Sequence, residues 1–185
     1  MKIKKAIIMV KPVIIIVGAI PVIFALLIGI SLISQPEIPF SAANPNDVIE
    51  FEYTKHQLKV VSFGLTERVG AQKSEILSIQ NNGDVRYTVT EDGVTKPDKF
   101  SKLDKNKMKK LTALIKETGF MTIPSESFPI NDDVKEYQKS SLKITLNGQV
   151  NQIYWPEQNA TEKFVPPIIT MVESELDQII SQLTE

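Results

Sequence analysis

The chain has 185 residues, 21 of them basic and 22 acidic, with one histidine and no cysteine. That length accommodates one domain with a proper core but not two large ones. Without cysteine there can be no disulfide, no thiolate metal site and no cysteine nucleophile, and a net charge of −1 offers no global attraction for nucleic acid.

In chain order, residues 1–11 form a basic tail with Lys2, Lys4, Lys5 and Lys11. Residues 12–34 follow without a charged side chain. The 22 residues Val13 to Ser34 would make roughly 33 Å of helix at about 1.5 Å per residue, enough for a hydrocarbon core of about 30 Å. From Gln35 to Thr54 there is no Lys or Arg, only Glu37, Asp47, Glu50 and Glu52. Positive charge stays on the cytoplasmic side, so this asymmetry predicts an uncleaved signal-anchor in contact with the lipid bilayer, N-terminus inside and the remainder extracytoplasmic. A cleaved signal peptide is the alternative. Its apolar core would be shorter, and the small-residue site Ser41-Ala42-Ala43 lies well beyond this one. Within the span, Pro21 predicts a kink, and Ala25-xxx-Gly29 has the small-xxx-small form that lets helices approach closely. Residues 35–47, with three prolines and small polar side chains, read as an extended stalk.

Residues 48–185 then form one domain. Ile49-Glu50-Phe51-Glu52-Tyr53-Thr54 alternates apolar and polar, as a half-buried strand does, and Leu58 to Phe63 reads as a second strand. Gly64 to Gln72 reads as loop. Two runs, EILSIQ and VRYTVT, flank Asn81-Asn82-Gly83-Asp84. A three-residue loop ending on Gly83 sets Leu77 opposite Tyr87 and Ile79 opposite Val85, keeping apolar side chains together, so that register is expected. A turn at Glu91-Asp92-Gly93 leads to a short strand from Val94.

The helix signal after it is complete. Asp104 is a good N-cap, Leu103 and Met108 stand where a hydrophobic staple forms, and Met108, Leu111, Leu114 and Ile115 share a face. Gly119 ends the helix and Phe120 packs back on it. Met121 to Ile123 is expected to be a short strand, Ser125 to Gln138 a long loop, and Lys139 to Leu146 a strand. A last helix starts at Pro167, with an apolar stripe of Ile168, Val172, Leu176, Ile179, Ile180 and Leu183 that suits a sheet better than a coiled coil. Strands, helix, strands, helix, joined by short hairpins, predict an α+β fold with an antiparallel sheet and two packed helices.

The hairpin LKITLNGQVNQIYWPE leaves two registers open. A two-residue Asn147-Gly148 loop pairs Leu142 with Ile153 and turns Trp155 inward. A three-residue loop pairs Ile144 with Val150 and turns Tyr154 inward. By analogy with the first hairpin, Tyr154 is expected inside, which makes the outward Trp155 a candidate contact residue.

Catalytic signals are sparse. His56 stands alone beside a strand, no serine sits in a GxSxG elbow, and there is no glycine-rich phosphate loop. Asp132, Asp133 and Glu136 are the nearest approach to a carboxylate cluster, without the ligand spacing of a calcium loop. Charge, in contrast, is segregated. Lys96 to Lys116 holds eight lysines against Asp98 and Asp104, a net of +6, whereas Glu157 to Glu185 has six acids against Lys163, a net of −5. Lys105, Lys107, Lys109 and Lys110 are therefore candidate interaction residues for an anionic partner, with internal pairing between the two helices as the alternative. No aromatic residues interleave these lysines, so nucleic acid is not expected. Asn159-Ala160-Thr161 is an N-glycosylation sequon.

Together, LSIQNNGDVRYTV, LDKNKMKKLTALIKETGF, LKITLNG with a following tryptophan, and VPPIITMVESELDQII resemble an α+β domain, of uncharacterised function, found in exported or membrane-anchored archaeal and bacterial proteins. The resemblance spans Lys73 to Leu183. It implies an extracytoplasmic location and carries no activity, cofactor or catalytic residue with it. The expectation is thus a single-pass membrane protein that displays a non-enzymatic interaction domain, binding a protein or envelope component through the sheet's open face or the basic helix. The alternatives are an ancillary subunit of a membrane complex and an envelope enzyme built on Asp132, Asp133 or Glu136.

Overall fold

The structure, a computed structural model, describes residues 42–125 and 128–185. The expected membrane segment 12–34, with Pro21 and the Ala25–Gly29 pair, and most of the expected stalk lie outside the described residues. Among the described residues no helix is long and apolar enough to cross a membrane.

Seven strands form one antiparallel sheet: β1 (Ile49–Phe63), β2 (Thr66–Ile79), β3 (Asp84–Glu91), β4 (Val94–Thr95), β5 (Lys99–Lys102), β6 (Glu136–Leu146) and β7 (Gln149–Pro156). Their spatial order is β4-β3-β2-β1-β6-β7, with β5 also paired to β3. Two helices, α1 (Lys105–Glu117) and α2 (Pro167–Thr184), complete the α+β fold.

Alternation decides which face is covered. Ile49, Phe51 and Tyr53 of β1, Leu77 and Ile79 of β2, Val85 and Tyr87 of β3, Leu142 and Ile144 of β6, and Ile153 and Trp155 of β7 are all buried in one core. They meet Leu111, Leu114 and Ile115 of α1 and Ile169, Val172, Leu176 and Ile179 of α2. Each such aliphatic side chain contributes roughly 1.5–3 kcal/mol by leaving water. Helix α1 starts where expected: the Asp104 carboxylate accepts from the backbone N–H of Asn106 and of Lys107, both at 2.8 Å. It stops at Gly119, whose φ of 64° an L side chain adopts only at a cost. The first hairpin also has the expected register, with Leu77 opposite Tyr87 and Ile79 opposite Val85.

Four expectations are corrected. Gly64 to Gln72 is strand, not loop: β1 runs unbroken from Ile49 to Phe63, turns at Gly64-Leu65, and returns as β2. Gly70 interrupts the side-chain pattern but not the backbone pairing, where it faces Lys59. The glycine of the Gly64-Leu65 turn, at φ 66°, occupies the position that a tight hairpin reserves for a left-handed residue. Phe120–Thr122 is a 3-10 turn rather than a strand, because the reversal at Gly119 lets Ile123 N–H return to the Phe120 carbonyl at 3.2 Å. Strand β5 was not expected; its four residues are all exposed and too few to display a period. Finally, the second hairpin takes the two-residue loop. Leu142 pairs with Ile153 and Ile144 with Asn151, so Trp155 is 2% exposed and Tyr154 45%.

Candidate interaction surfaces

Trp155 is therefore a core residue and not a contact residue. Its indole N–H donates to Glu173 Oε2 of α2 at 3.1 Å, and its ring stacks near Tyr53 with centroids 6.4 Å apart. Glu173 also accepts from the Tyr53 hydroxyl and from the Ser140 hydroxyl, each at 3.0 Å. Burial, reinforced by the negative charges of Glu173 and Asp177, pushes the Tyr53 phenol far above its ordinary value, so it stays a neutral donor. Beside them Lys55 reaches Asp177 at 3.0 Å, and Tyr87 donates to Glu75. Three neutral donors on one carboxylate form a polar seam that locks α2 onto the sheet. The seam draws on three strands and a helix distant in sequence, which is why no local pattern announced it.

The lysines of α1 divide into two groups. Lys110 reaches Glu175 of α2 at 3.1 Å and Lys107 reaches Gln182 at 2.7 Å, so the expected pairing between the basic and acidic regions holds for these two. Flanking lysines are likewise engaged: Lys102 with Asp84 at 3.0 Å, Lys96 with Glu91, Lys116 with Asp47 at 2.8 Å, and Lys99 with the Leu183 carbonyl at 2.9 Å. Lys105 and Lys109 are exposed and have no carboxylate or other polar partner among the described residues. At four residues apart they share one face of α1, on the edge of a hollow of about 430 Å³ that Asn44, Pro45 and Asp47 also line.

The sheet's open face carries a wider cleft of about 710 Å³, lined by Ile76, Ser78 and Gln80 of β2, by Asp84, Arg86 and Thr88 of β3, and by Phe100 of β5 among others. Phe100 is 71% exposed and Ile76 40%. Between them Arg86 is held in place: its Nε and Nη2 donate to one oxygen of Asp98 at 2.8 and 2.7 Å, and the Thr88 hydroxyl donates to the other at 2.6 Å. Hydrogen bonds from Thr88 and Arg86, with the guanidinium charge beside them, hold the Asp98 carboxyl below its ordinary value. Phe100 sits directly opposite Arg86 across the β3–β5 pairing. Sequence reasoning missed this site because Phe100 lies among lysines in a segment with no visible period.

A third exposed feature is the far end of the β1–β2 hairpin, where Leu65 is fully exposed at the turn and Val61 and Val69 are exposed behind it. Leu65 and Val69 belong to the segment expected to be a loop.

The remaining candidates are dispersed. His56 shares a 2.8 Å hydrogen bond with the Ser74 hydroxyl, and burial together with the Lys139 charge lowers its pKa. Asp132 and Asp133 are exposed, and Glu136 is ion-paired with Lys59 on the neighbouring strand. Among the described residues no three histidine, aspartate or glutamate side chains gather as metal ligands. Asn159 is exposed in the 3-10 turn Gln158–Ala160, while the sequon's Thr161 is buried. No protein-family model and no curated protein matches the chain.

Proposed function

We propose that the protein is a single-pass, membrane-anchored module whose extracytoplasmic α+β domain binds a protein or envelope component through the sheet's open face. The observation that carries this reading is the cleft around Phe100. An exposed aromatic ring, an exposed isoleucine and an arginine held by Asp98, which Thr88 holds in turn, form the mixture of apolar anchor and oriented charge that binding sites use. An isolated exposed apolar residue needs no explanation, but two on either side of a concave surface fit a contact site. The carboxylate enzyme reading has less support, since Glu136 is engaged with Lys59 and Asp132 and Asp133 face solvent.

Crosslinking in native membranes tests the proposal. A photo-reactive residue in place of Phe100 is expected to give a defined adduct, and the same partner is expected to co-purify reciprocally with the full chain and to be lost with Phe100→Ser plus Ile76→Ser. Retention of that partner by the double variant would remove the open face as the site. If the partner instead follows residues 12–34 transplanted onto another domain, the ancillary-subunit alternative is the correct one.

A further inference from the structure

We infer that the face of α1 bearing Lys105 and Lys109 is a docking surface for anionic lipid headgroups, which holds the domain against the bilayer that anchors it. The inference rests on the membrane-anchor reading and goes beyond it by assigning a second, electrostatic contact.

The argument starts from how the lysines are used. Of the six from Lys102 to Lys116, four have partners: Lys102, Lys107, Lys110 and Lys116 bind Asp84, Gln182, Glu175 and Asp47. Lys105 and Lys109 have none among the described residues, and both are exposed. The acids nearest them are already engaged. Asp104 caps α1 by accepting from Asn106 and Lys107, Asp84 accepts from Asn82 and Lys102, and Asp47 accepts from Asn44, Lys116 and Asn147. Among the described residues, therefore, Lys105 and Lys109 present exposed ammonium groups that no carboxylate binds directly.

Their position is set by the same contacts. The Asp47 carboxylate takes the Asn44 N–H at 2.7 Å, the Lys116 ammonium at 2.8 Å and the Asn147 amide at 2.9 Å, which ties the start of the domain to the end of α1 and to the β6–β7 turn. Asn44, Pro45, Asp47, Lys105 and Lys109 line one hollow. From the end of the apolar run at Ser34 to Asn44 only the nine residues 35–43 intervene. Fully extended they reach about 32 Å, and any bend shortens the distance. A chain held at one point on the bilayer meets its second contact at high effective concentration, so two lysines suffice where two alone would not recruit a free protein. Two lysines near an anionic surface together favour the docked state roughly 30-fold, and the attraction acts only within about 10 Å, so the contact is one of direct apposition.

The lack of native cysteine allows a clean test. The full chain, carrying a single cysteine at Asn106 labelled with a fluorophore, is reconstituted into phosphatidylcholine vesicles or into 7:3 phosphatidylcholine:phosphatidylglycerol vesicles, each with a headgroup-quencher phosphatidylcholine. Quenching is expected in the anionic vesicles, weak in the zwitterionic ones, and the docked-to-undocked ratio is expected to fall roughly 30-fold in Lys105→Gln plus Lys109→Gln. A label at Leu65 serves as the reference far along the sheet. Both lysines are exposed, and the fluorescence of the buried Trp155 verifies that the variant is folded. Equal quenching in the two lipids, or quenching unchanged by the double variant, overturns the docking. Alkaline carbonate extraction separates the premises. A chain washed off by carbonate refutes the anchor and the docking that rests on it, whereas a chain that resists carbonate but shows lysine-independent quenching at Asn106 refutes the headgroup contact alone.

Discussion

Hairpins β2–β3 and β6–β7 are both closed by an Asn-Gly pair, yet they take different loops. In the first, Gln80 and Asp84 close the pairing, with Gly83 N–H returning to the Gln80 carbonyl at 2.8 Å, so that Asn81, Asn82 and Gly83 form a three-residue loop with Gly83 alone at positive φ, 85°. In the second, Leu146 faces Gln149 directly, and Asn147 and Gly148 both have positive φ, 50° and 83°. That pair of angles is what a two-residue turn matching the strand twist requires. The dipeptide thus marks where a chain reverses but not how many residues the reversal uses. Loop length follows from which side chains the two strands must bury, since one residue of slip exchanges the faces.

The largest effect should come from the residues that the second register sorts. Trp155→Ala is expected to destabilise the domain by about 3–5 kcal/mol, while Tyr154→Ala, at the surface under Lys139, stays within about 0.5 kcal/mol. Urea unfolding of the two variants checks this, and a reversed order of costs would mean the other register.

Glu173→Ala comes next. It leaves the Tyr53 and Ser140 hydroxyls and the Trp155 indole without their acceptor, a loss of about 2–4 kcal/mol. Glu173→Gln keeps an acceptor oxygen and should lose less in the same measurement.

The two turn glycines sharpen the contrast further. At Gly148 an added Cβ meets nothing within 4 Å, so Gly148→Ala should cost only the left-handed penalty, about 1–2 kcal/mol. At Gly83 the Cβ would lie 2.6 Å from the backbone oxygen of Leu103. Gly83→Ala should therefore cost more, about 2–4 kcal/mol, and thermal unfolding should order the two variants accordingly.

The smallest effect is the response to acid. Hydrogen bonds from Lys102 and Asn82 lower the Asp84 carboxyl beside the first turn from its ordinary 3.8. At the second turn, burial pushes the Asp47 carboxyl up, but hydrogen bonds from Asn147, Lys116 and Asn44 outweigh it and the net shift is also downward. A carboxyl with a depressed folded-state pKa contributes stability that is complete above the unfolded value and is lost as pH falls through the folded one. The unfolding midpoint should therefore fall below about pH 4. Asp47→Asn and Asp84→Asn should each flatten that fall, because each removes a carboxyl whose folded-state pKa is lowered.

Much of the fold was legible because it is local. The Asp104 cap, the Gly119 stop, Pro167 at the head of α2 and the register of the β2–β3 hairpin all follow from residues within a few positions of one another. The long β1–β2 hairpin was obscured by Gly64 and Gly70, which read as loop when pairing across the sheet is not in view. The candidate site was less legible still. Phe100 acquires its meaning only from Arg86 and Ile76 on other strands, and the lysine-rich segment could not reveal that Glu175 of α2 and Asp47 at the start of the domain would pair with Lys110 and Lys116.

By itself the sequence determined the α+β class, the presence of the β2–β3 and β6–β7 hairpins, both ends of α1 and the start of α2, since backbone propensity, capping and periodicity act over a single turn or strand. Only the tertiary structure decided between Tyr154 and Trp155, because that choice depends on Asn151, whose amide donates to the Phe120 and Ile123 carbonyls, and on Glu173, which accepts the Trp155 indole N–H. Those partners lie 18 to 31 residues away along the chain. A polar residue on the inner face looks like an error in the pattern until the groups that satisfy it are folded beside it.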